Sequence, residues 1–417
     1  MSFPYGSEIS LESYFMAKKK VGLWLIGACG GVGTTAALGL AAIRNKLSDT
    51  TSLVTELPLF ETLKLDSLDS FVVGGHEIRK GSFVETAQEM HQKARVFDAA
   101  MLAGAEKDLS EWSKNIKPGS AVESGSTIAK MADLEKANAR ETPRQTIDRI
   151  QSDLKNFQKA NDLEHVVVMS VASTEPPFQT GVQHQTLKAM NAALDAGENV
   201  LPTSSMYAWA AVELGMPFVN FTPSLGASFP AIQELAKIKG APLAGQDGKT
   251  GETLMKSVLA PMFALRNWKI LSWVGHNIFG NRDGIVLDDP ANKASKIKTK
   301  DQVISSIVGY KPQTLVTIEY IPSMDDWKTA WNHIHYQGFL GTPMILQFIW
   351  QGCDSILAAP LVIDLARFAL FAKRRGESGI MRHLSCFFKG PMGETNHDFF
   401  QQFEMLRDYV EATGEKS

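Results

Sequence analysis

The chain has 417 residues, 44% of them hydrophobic, enough to bury a large core and to form two domains. Its formal net charge of -3, with no long block of like charge, argues against a nucleic-acid or polyanion partner, which would need a basic face. Three widely spaced cysteines, Cys29, Cys353 and Cys386, argue against a disulfide framework and metal-type pairs, and point to a reducing, cytoplasmic compartment.

Lys18-Lys19-Lys20 precedes an uncharged stretch from Val21 to Ile43, about the length of a membrane span. Gly27, Gly30, Gly31 and Gly33 crowd its middle, where a span would be one continuous helix. They separate a strand-like half, Gly22 to Ile26, from a helix-like half, Thr34 to Leu47, so the spacing predicts the strand, turn and helix that a dinucleotide fingerprint requires. Free N–H groups and the positive dipole end at such a helix start suit an anion. The expectation is therefore no membrane partner; the later apolar run Leu361 to Ala372 is interrupted by Asp364 and Arg367.

Short apolar runs then alternate with amphipathic ones, the pattern of a parallel sheet wrapped by helices. Strands are predicted at Val166 to Val171, Asn199 to Leu201 and Phe218 to Pro223, and helices at Gln185 to Ala196 and Pro230 to Lys239. The strand tips Ala172-Ser173-Thr174 and Asn220 to Thr222 fall where open parallel sheets collect ligands, although such residues also serve simply as turns. A second loop of phosphate-holding type, Asp247-Gly248-Lys249-Thr250-Gly251-Glu252-Thr253, precedes a helical run from Leu254 to Phe263. A dinucleotide and a phosphorylated substrate would account for both loops.

From about residue 270 the character changes. Lys269 to Val274 reads as a strand, His276 to Gly284 as a turn-rich loop, and Lys293 to Lys300 as a lysine run that is either solvated or turned on an anion. Thr299 can cap a helix from Lys300 to Val308. Val316 to Tyr320 reads as a strand, Trp327 to His335 as a helix, Met344 to Trp350 as a strand and Asp354 to Ala372 as a long helix. His333 and His335, two apart on a helix, would diverge, which disfavours a metal pair. Trp209, Trp268, Trp273 and Phe348 read as core.

Seven motifs in order resemble the myo-inositol-1-phosphate synthase (inositol-3-phosphate synthase) family, in its shorter bacterial and archaeal form, over nearly the whole chain. They are Gly27 to Thr34, Gly245 to Thr253, Asn281-Arg282-Asp283-Gly284, Ser295-Lys296 to Lys300, Asp326-Trp327-Lys328, Cys353 to Pro360 and Phe388-Lys389-Gly390-Pro391. The resemblance implies an α/β fold, with a Rossmann-type doubly wound parallel sheet from residues 1–245 plus 365–417. A second α+β domain from 246–364 would supply catalysis and oligomer contacts, in a homotetramer.

The implied activity converts glucose 6-phosphate into 1D-myo-inositol 3-phosphate, for inositol and phospholipid biosynthesis. It proceeds by NAD-dependent oxidation at C5, enolisation at C6, aldol closure onto C1 and reduction by the same cofactor. Negative charge develops on oxygen in the middle steps, which ammonium groups in a water-poor site stabilise. By resemblance Lys296 stands at the oxidised carbon, Lys328 and Lys389 at the enolate and aldehyde oxygens, and Lys300 also at the substrate phosphate. Asp354 pairs with these lysines, Asp247 and Asp283 line the pocket, and Thr250, Gly251, Glu252 and Thr253 cradle the phosphate. Gly27, Gly30, Gly31, Val32, Gly33 and Thr34 hold the NAD pyrophosphate; Ala172, Ser173, Thr174, Asn220 and Thr222 take its nicotinamide side.

Two segments depart from the family's larger members. Glu252 stands where they have glutamine, and Asn220-Phe221-Thr222-Pro223 replaces an asparagine-glycine-serine-proline turn. For the ribose, Glu56 has the ~20-residue offset of a simple dinucleotide fold, while the resemblance favours Glu77. A divalent or monovalent cation is an open expectation, since the family varies and no ligand set stands out. The alternatives are an NAD-dependent dehydrogenase of the homoserine-dehydrogenase type, which gives no reason for the second loop, and a non-catalytic nucleotide sensor.

Overall fold

The computed structural model describes residues 19–138, 140–281, 284 and 303–414. Asp283, Lys296 and Lys300, with the whole lysine run from Lys293 to Lys300, lie outside these residues.

The first sheet is wholly parallel. Its strands are β1 (Lys20–Ile26), β2 (Phe71–Glu77), β3 (Ile116–Pro118), β4 (Leu163–Ser170), β5 (Phe218–Asn220) and β6 (Pro242–Gly245), joined near the C-terminus by β11 (Gly379–Ile380). The spatial order β11-β6-β5-β4-β1-β2-β3 puts β1 between β2 and β4, so the chain reverses direction across β1. Ligands collect outside the carboxyl ends of strands at such a reversal.

Helices cover both faces. In chain order they are α1 (Gly31–Arg44), α2 (Phe83–Ala94), α3 (Ala99–Ser113), α4 (Ser126–Met131), α5 (Pro143–Ala160), α6 (Leu187–Asp195), α7 (Thr203–Glu213) and α8 (Pro230–Lys239). Three more follow: α9 (Gly251–Leu265), α10 (Asp354–Arg374) and α11 (Phe399–Thr413). One core holds Leu23 and Leu25 of β1 with Ala37 and Leu40 of α1 and Val362 and Ala366 of α10; the other holds Trp24 with Ile150, Trp209 and Ile232. Successive β1 side chains thus enter opposite cores, as strand alternation dictates.

Helix α10 is long and apolar enough to cross a membrane, yet most of it is buried against the parallel sheet. Its polar interruptions are internal ties. Asp364 accepts from the amides of Val54 and Thr55 and from the Thr55 hydroxyl, and Arg367 pairs with Glu56 at 2.6 Å.

The second sheet, order β10-β9-β7-β8, is formed by β7 (Lys269–Phe279), β8 (Gln313–Tyr320), β9 (Trp327–Gln337) and β10 (Pro343–Cys353). Strands β7 and β8 are parallel and the other two pairs antiparallel. One face packs on α9 through Phe263, Trp273, Ile334 and Tyr336, with Trp268 and Phe348 beside them.

Three predicted elements differ in the structure, the first being His276 to Phe279, which reads as loop but continues strand β7 and pairs with β8 and β9. Trp327 to His335 is strand, not helix: Asn332, Ile334 and Tyr336 are buried at every second position, and the Thr, Trp and Tyr content suits a pleated surface. His333 and His335 therefore share a face, although no group of three potential metal ligands exists among the described residues. Asn199 to Leu201 is not a strand. The Val200 carbonyl pairs with His184 Nε2 at 2.8 Å instead of a ladder partner, and Pro202 follows at once.

Candidate active site

A cavity of about 760 Å³ opens at the carboxyl ends of β1 and β4 and extends to the second sheet. It joins Gly27, Gly30, Gly31, Val32 and Glu77 with Ala172, Ser173, Thr174 and Thr222, and these with Asp247, Thr250, Glu252, Thr253, Lys328, Asp354 and Lys389. Such a volume lies within the range of ligand clefts, roughly 300–1,000 Å³. Gly33, Thr34, Asn220 and Gly251 do not line it.

The glycine turn is pinned from both sides. The Gly27 and Ala28 amides donate to the His76 carbonyl at 2.9 and 3.1 Å. Gly27 has φ +84, and a Cβ there would stand 2.9 Å from Ala172 Cα. A Cβ on Gly31 would come within 2.4 Å of Ser355 Oγ, so the start of α10 closes on the turn. A bare turn leading into the first turn of α1 fits a dinucleotide pyrophosphate, because free amides and the dipole can approach the anion directly.

Glu77 ends β2 and is 3% exposed. Its Oε2 accepts from the Cys29 amide at 2.9 Å, and its Oε1 accepts from the Ile78 and Arg79 amides at 3.0 and 3.2 Å. It faces the cavity beside the glycine turn, whereas Glu56 is tied to Arg367 and does not line the cavity.

At the tips of β4 and β5 a buried network missed in the sequence reading joins three segments. Asn220 Oδ1 accepts from the Thr222 amide and hydroxyl, and Asn220 Nδ2 donates to the Ser224 carbonyl. The Ser224 hydroxyl accepts from the Glu175 amide at 2.9 Å, and Glu175 Oε1 accepts from the Ser204 amide at 2.7 Å at the start of α7. The Ser204 hydroxyl donates to Glu175 Oε2. Asn220 is thus a brace behind the wall, and Glu175, Ser204 and Ser224 form part of the wall. Burial pushes Glu175 up to about 7. Its one sequence signal was its position directly after Thr174.

The second loop carries the other half of the site. Lys389 Nζ and Asp247 Oδ1 are 2.9 Å apart, both groups buried. The second Asp247 oxygen is buried and has no hydrogen-bond partner among the described residues. Gly248 lies under the Phe221 ring, where a Cβ would approach within 2.1 Å, so this chain's departure at Phe221 is matched by a bare residue opposite. Thr250 is the N-cap of α9. Glu252, in its first turn, pairs with Lys256 Nζ at 3.1 Å, each side chain 2% exposed, so a cation one turn on neutralises the carboxylate.

From the second sheet, Lys328 on β9 faces Asp354 at 3.7 Å and stands 5.2 Å from the centre of the Phe279 ring. Beside them Asp326, unassigned in the sequence reading although it opens the Asp326-Trp327-Lys328 motif, is buried. Its Oδ2 accepts from Cys353 Sγ and the Ser355 amide at 2.7 and 3.0 Å, and its Oδ1 accepts from the Ser355 hydroxyl at 3.0 Å. Burial raises its pKa. The arrangement offers an anion-ready turn at one end and two lysine–carboxylate pairs at the other, a setting in which an oxyanion can be stabilised next to a bound dinucleotide.

This fold and site define a dinucleotide-binding α/β protein whose second sheet closes a polar, lysine-bearing cavity. The family model described as Myo-inositol-1-phosphate synthase matches residues 21–411, and the chain belongs to that family. It is 34% identical to inositol-3-phosphate synthase 1 of Bacteroides thetaiotaomicron, covering 96% of this chain and 97% of that one. It is 27% identical to the inositol-3-phosphate synthase of Dictyostelium discoideum, over 86% of this chain and 76% of the relative. The fold is shared with the solved inositol-3-phosphate synthase of Caenorhabditis elegans, at TM-score 0.84 and 22% identity over 96% of this chain and 87% of that one. It is shared too with a myo-inositol-1-phosphate synthase-related protein of Thermotoga maritima, at TM-score 0.76 and 21% identity over 95% of this chain and all of that one.

Proposed function

We propose that this chain is an inositol-3-phosphate synthase, an NAD-dependent isomerase that converts D-glucose 6-phosphate into 1D-myo-inositol 3-phosphate without net redox change. The observation that carries the reading is a single cavity, in a member of this family, that joins the glycine turn to the Asp247–Lys389 and Lys328–Asp354 pairs.

Bound NAD supplies a hydride acceptor for C5 and the returning hydride for the cyclised ketone. Gly27, Gly30, Gly31 and Val32 hold the pyrophosphate, with Gly33 and Thr34 continuing the helix behind them, and Glu77 takes the ribose. Ala172, Ser173, Thr174 and Thr222 flank the nicotinamide side, braced by Asn220. Thr250 and Thr253 hold the substrate phosphate at the start of α9, with Gly251 setting the turn between them, and Glu252 contributes its amide while its carboxylate stays with Lys256. The Lys389 and Lys328 ammonium groups face the oxygens that become negative during enolisation and aldol closure, where fixed charges need no reorganisation. The unpartnered Asp247 oxygen accepts a substrate hydroxyl. Lys296, Lys300 and Asp283 keep the roles that the resemblance implies.

The same reading takes residues 1–245 with 365–417 as the NAD-binding unit and 246–364 as the catalytic and oligomerisation unit; that β7–β10 fall inside the latter supports it. A homotetramer is supported by the outer face of the second sheet, where Trp331 is 42%, Leu315 49% and Ile345 and Ile349 each 61% exposed. Cys29, Cys353 and Cys386, all buried and in no disulfide among the described residues, support a cytoplasmic location. Glucose 6-phosphate deuterated at C5 tests the chemistry. The label is expected in the inositol phosphate even in the presence of unlabelled NADH; label lost to the free cofactor would make the protein an ordinary dehydrogenase.

A further inference from the structure

Inside the second loop one cationic side chain turns away from the cavity. Lys249 follows Asp247 and Gly248 and precedes the α9 N-cap Thr250, yet it does not line the cavity. It is 3% exposed; its ammonium donates to Gln402 Oε1 on α11 and stands 5.9 Å from the centre of the Phe399 ring. The titratable groups acting on it are Cys386, His397 and Asp398, and among the described residues no ion pair holds it. A buried ammonium that no ion pair holds among the described residues carries a desolvation penalty, which asks what the position gains.

The backbone around Lys249 is where the two motifs meet. Gly248 pairs with Phe388 in an antiparallel bridge, and the Lys249 amide donates to the Phe387 carbonyl at 2.7 Å. The Lys389 amide donates to the Asp247 carbonyl, also at 2.7 Å. Residues 247–249 and 387–389 therefore form one short ribbon that carries both Asp247 and Lys389 and leads into α9. Its outer anchor is the Lys249 contact with Gln402, whose amide is held in turn by the Asn396 carbonyl.

We propose that Lys249 is a positioning residue that fixes the Asp247–Lys389 pair and the Thr250–Thr253 turn by tying their shared ribbon to α11. The inference rests on the reading of that pair and turn as substrate-binding groups. A ribbon free to shift by about an ångström would misplace the reacting groups, at a cost of up to roughly 100-fold in rate.

The test compares wild type, Lys249→Met and Gln402→Leu in the full chain, by calorimetric binding of glucose 6-phosphate and of NAD, steady-state turnover and thermal melting. Both variants should weaken glucose 6-phosphate binding, raise its KM and lower turnover by up to roughly 100-fold, with NAD affinity kept. Sugar-phosphate binding and KM unchanged in both variants, or NAD affinity falling in parallel, would overturn the proposal. If Lys249→Met does not fold, Gln402→Leu decides. Wild type that binds glucose 6-phosphate but makes no inositol phosphate sinks the functional reading and leaves the binding comparison to judge Lys249; wild type that binds none overturns both.

Discussion

Lys389 is expected to matter through charge at one point rather than through packing. Lys389→Ala should lower turnover by about 10²- to 10³-fold, the loss seen when one oxyanion donor is removed, while NAD binding measured by fluorescence is kept. A fall confined to NAD affinity would remove Lys389 from the chemistry. Glu252 makes the opposite case. Glutamine stands there in larger family members, yet in this chain Glu252→Gln strands Lys256, 1% exposed, beside a neutral amide. Breaking a buried pair costs about 3–5 kcal/mol, so denaturant unfolding should show that loss, and adding Lys256→Met should recover much of it. Glu175 bears on pH. Burial lifts its pKa from 4.5 to about 7, so the folded chain prefers it protonated. The stability it contributes is complete below pH 4.5 and lost as pH rises through about 7. Glu175→Gln, which keeps an acceptor for the Ser204 amide, should flatten that slope, so the wild-type melting temperature relative to the variant should be higher at pH 5 than at pH 8.

At the scale of elements, α10 joins sequence to site. Its first turn brings Asp354 and Ser355 to the cavity, its middle packs in the core, and Asp364 holds three donors from Val54 and Thr55. Asp364→Ala leaves those donors without their acceptor, at about 1–3 kcal/mol for each that stays buried and unpaired; a clear drop in the unfolding midpoint is expected, and an unchanged midpoint would contradict the tie. Elements with a continuous apolar run or diagnostic glycines were legible from the chain: β1 and α1, β4, and α9 after its loop. Strand β9 was not, because its buried side carries Asn332 between Ala330 and Ile334, so its apolar residues do not alternate cleanly. Val200 read as a strand because it is buried and apolar, but its carbonyl is claimed by a histidine side chain, which no local pattern announces. The site divided in the same way. Most cavity-lining residues inside contiguous motifs could be named in advance, Asp326 being an exception. Glu175, Ser204 and Ser224 could not, since they are joined only by tertiary contact across 49 positions of sequence.

For the whole molecule, the two sheets have separate tasks: the parallel sheet presents the nucleotide turn and the second sheet brings Lys328 and the start of α10 down onto it. The exposed apolar face of that second sheet should be covered by another copy. Light scattering is expected to give a tetramer, and Ile345→Lys with Ile349→Lys a smaller species; a monomeric wild type would contradict the assembly. The central claim is that one cavity oxidises, cyclises and reduces without releasing its cofactor. The most direct measurement incubates the purified protein with glucose 6-phosphate and substoichiometric NAD, following inositol phosphate by phosphorus NMR and NADH by absorbance. Many turnovers of inositol phosphate per NAD, with no net NADH, is the predicted result. NADH accumulating one for one with oxidised sugar, and no cyclised product, would contradict it.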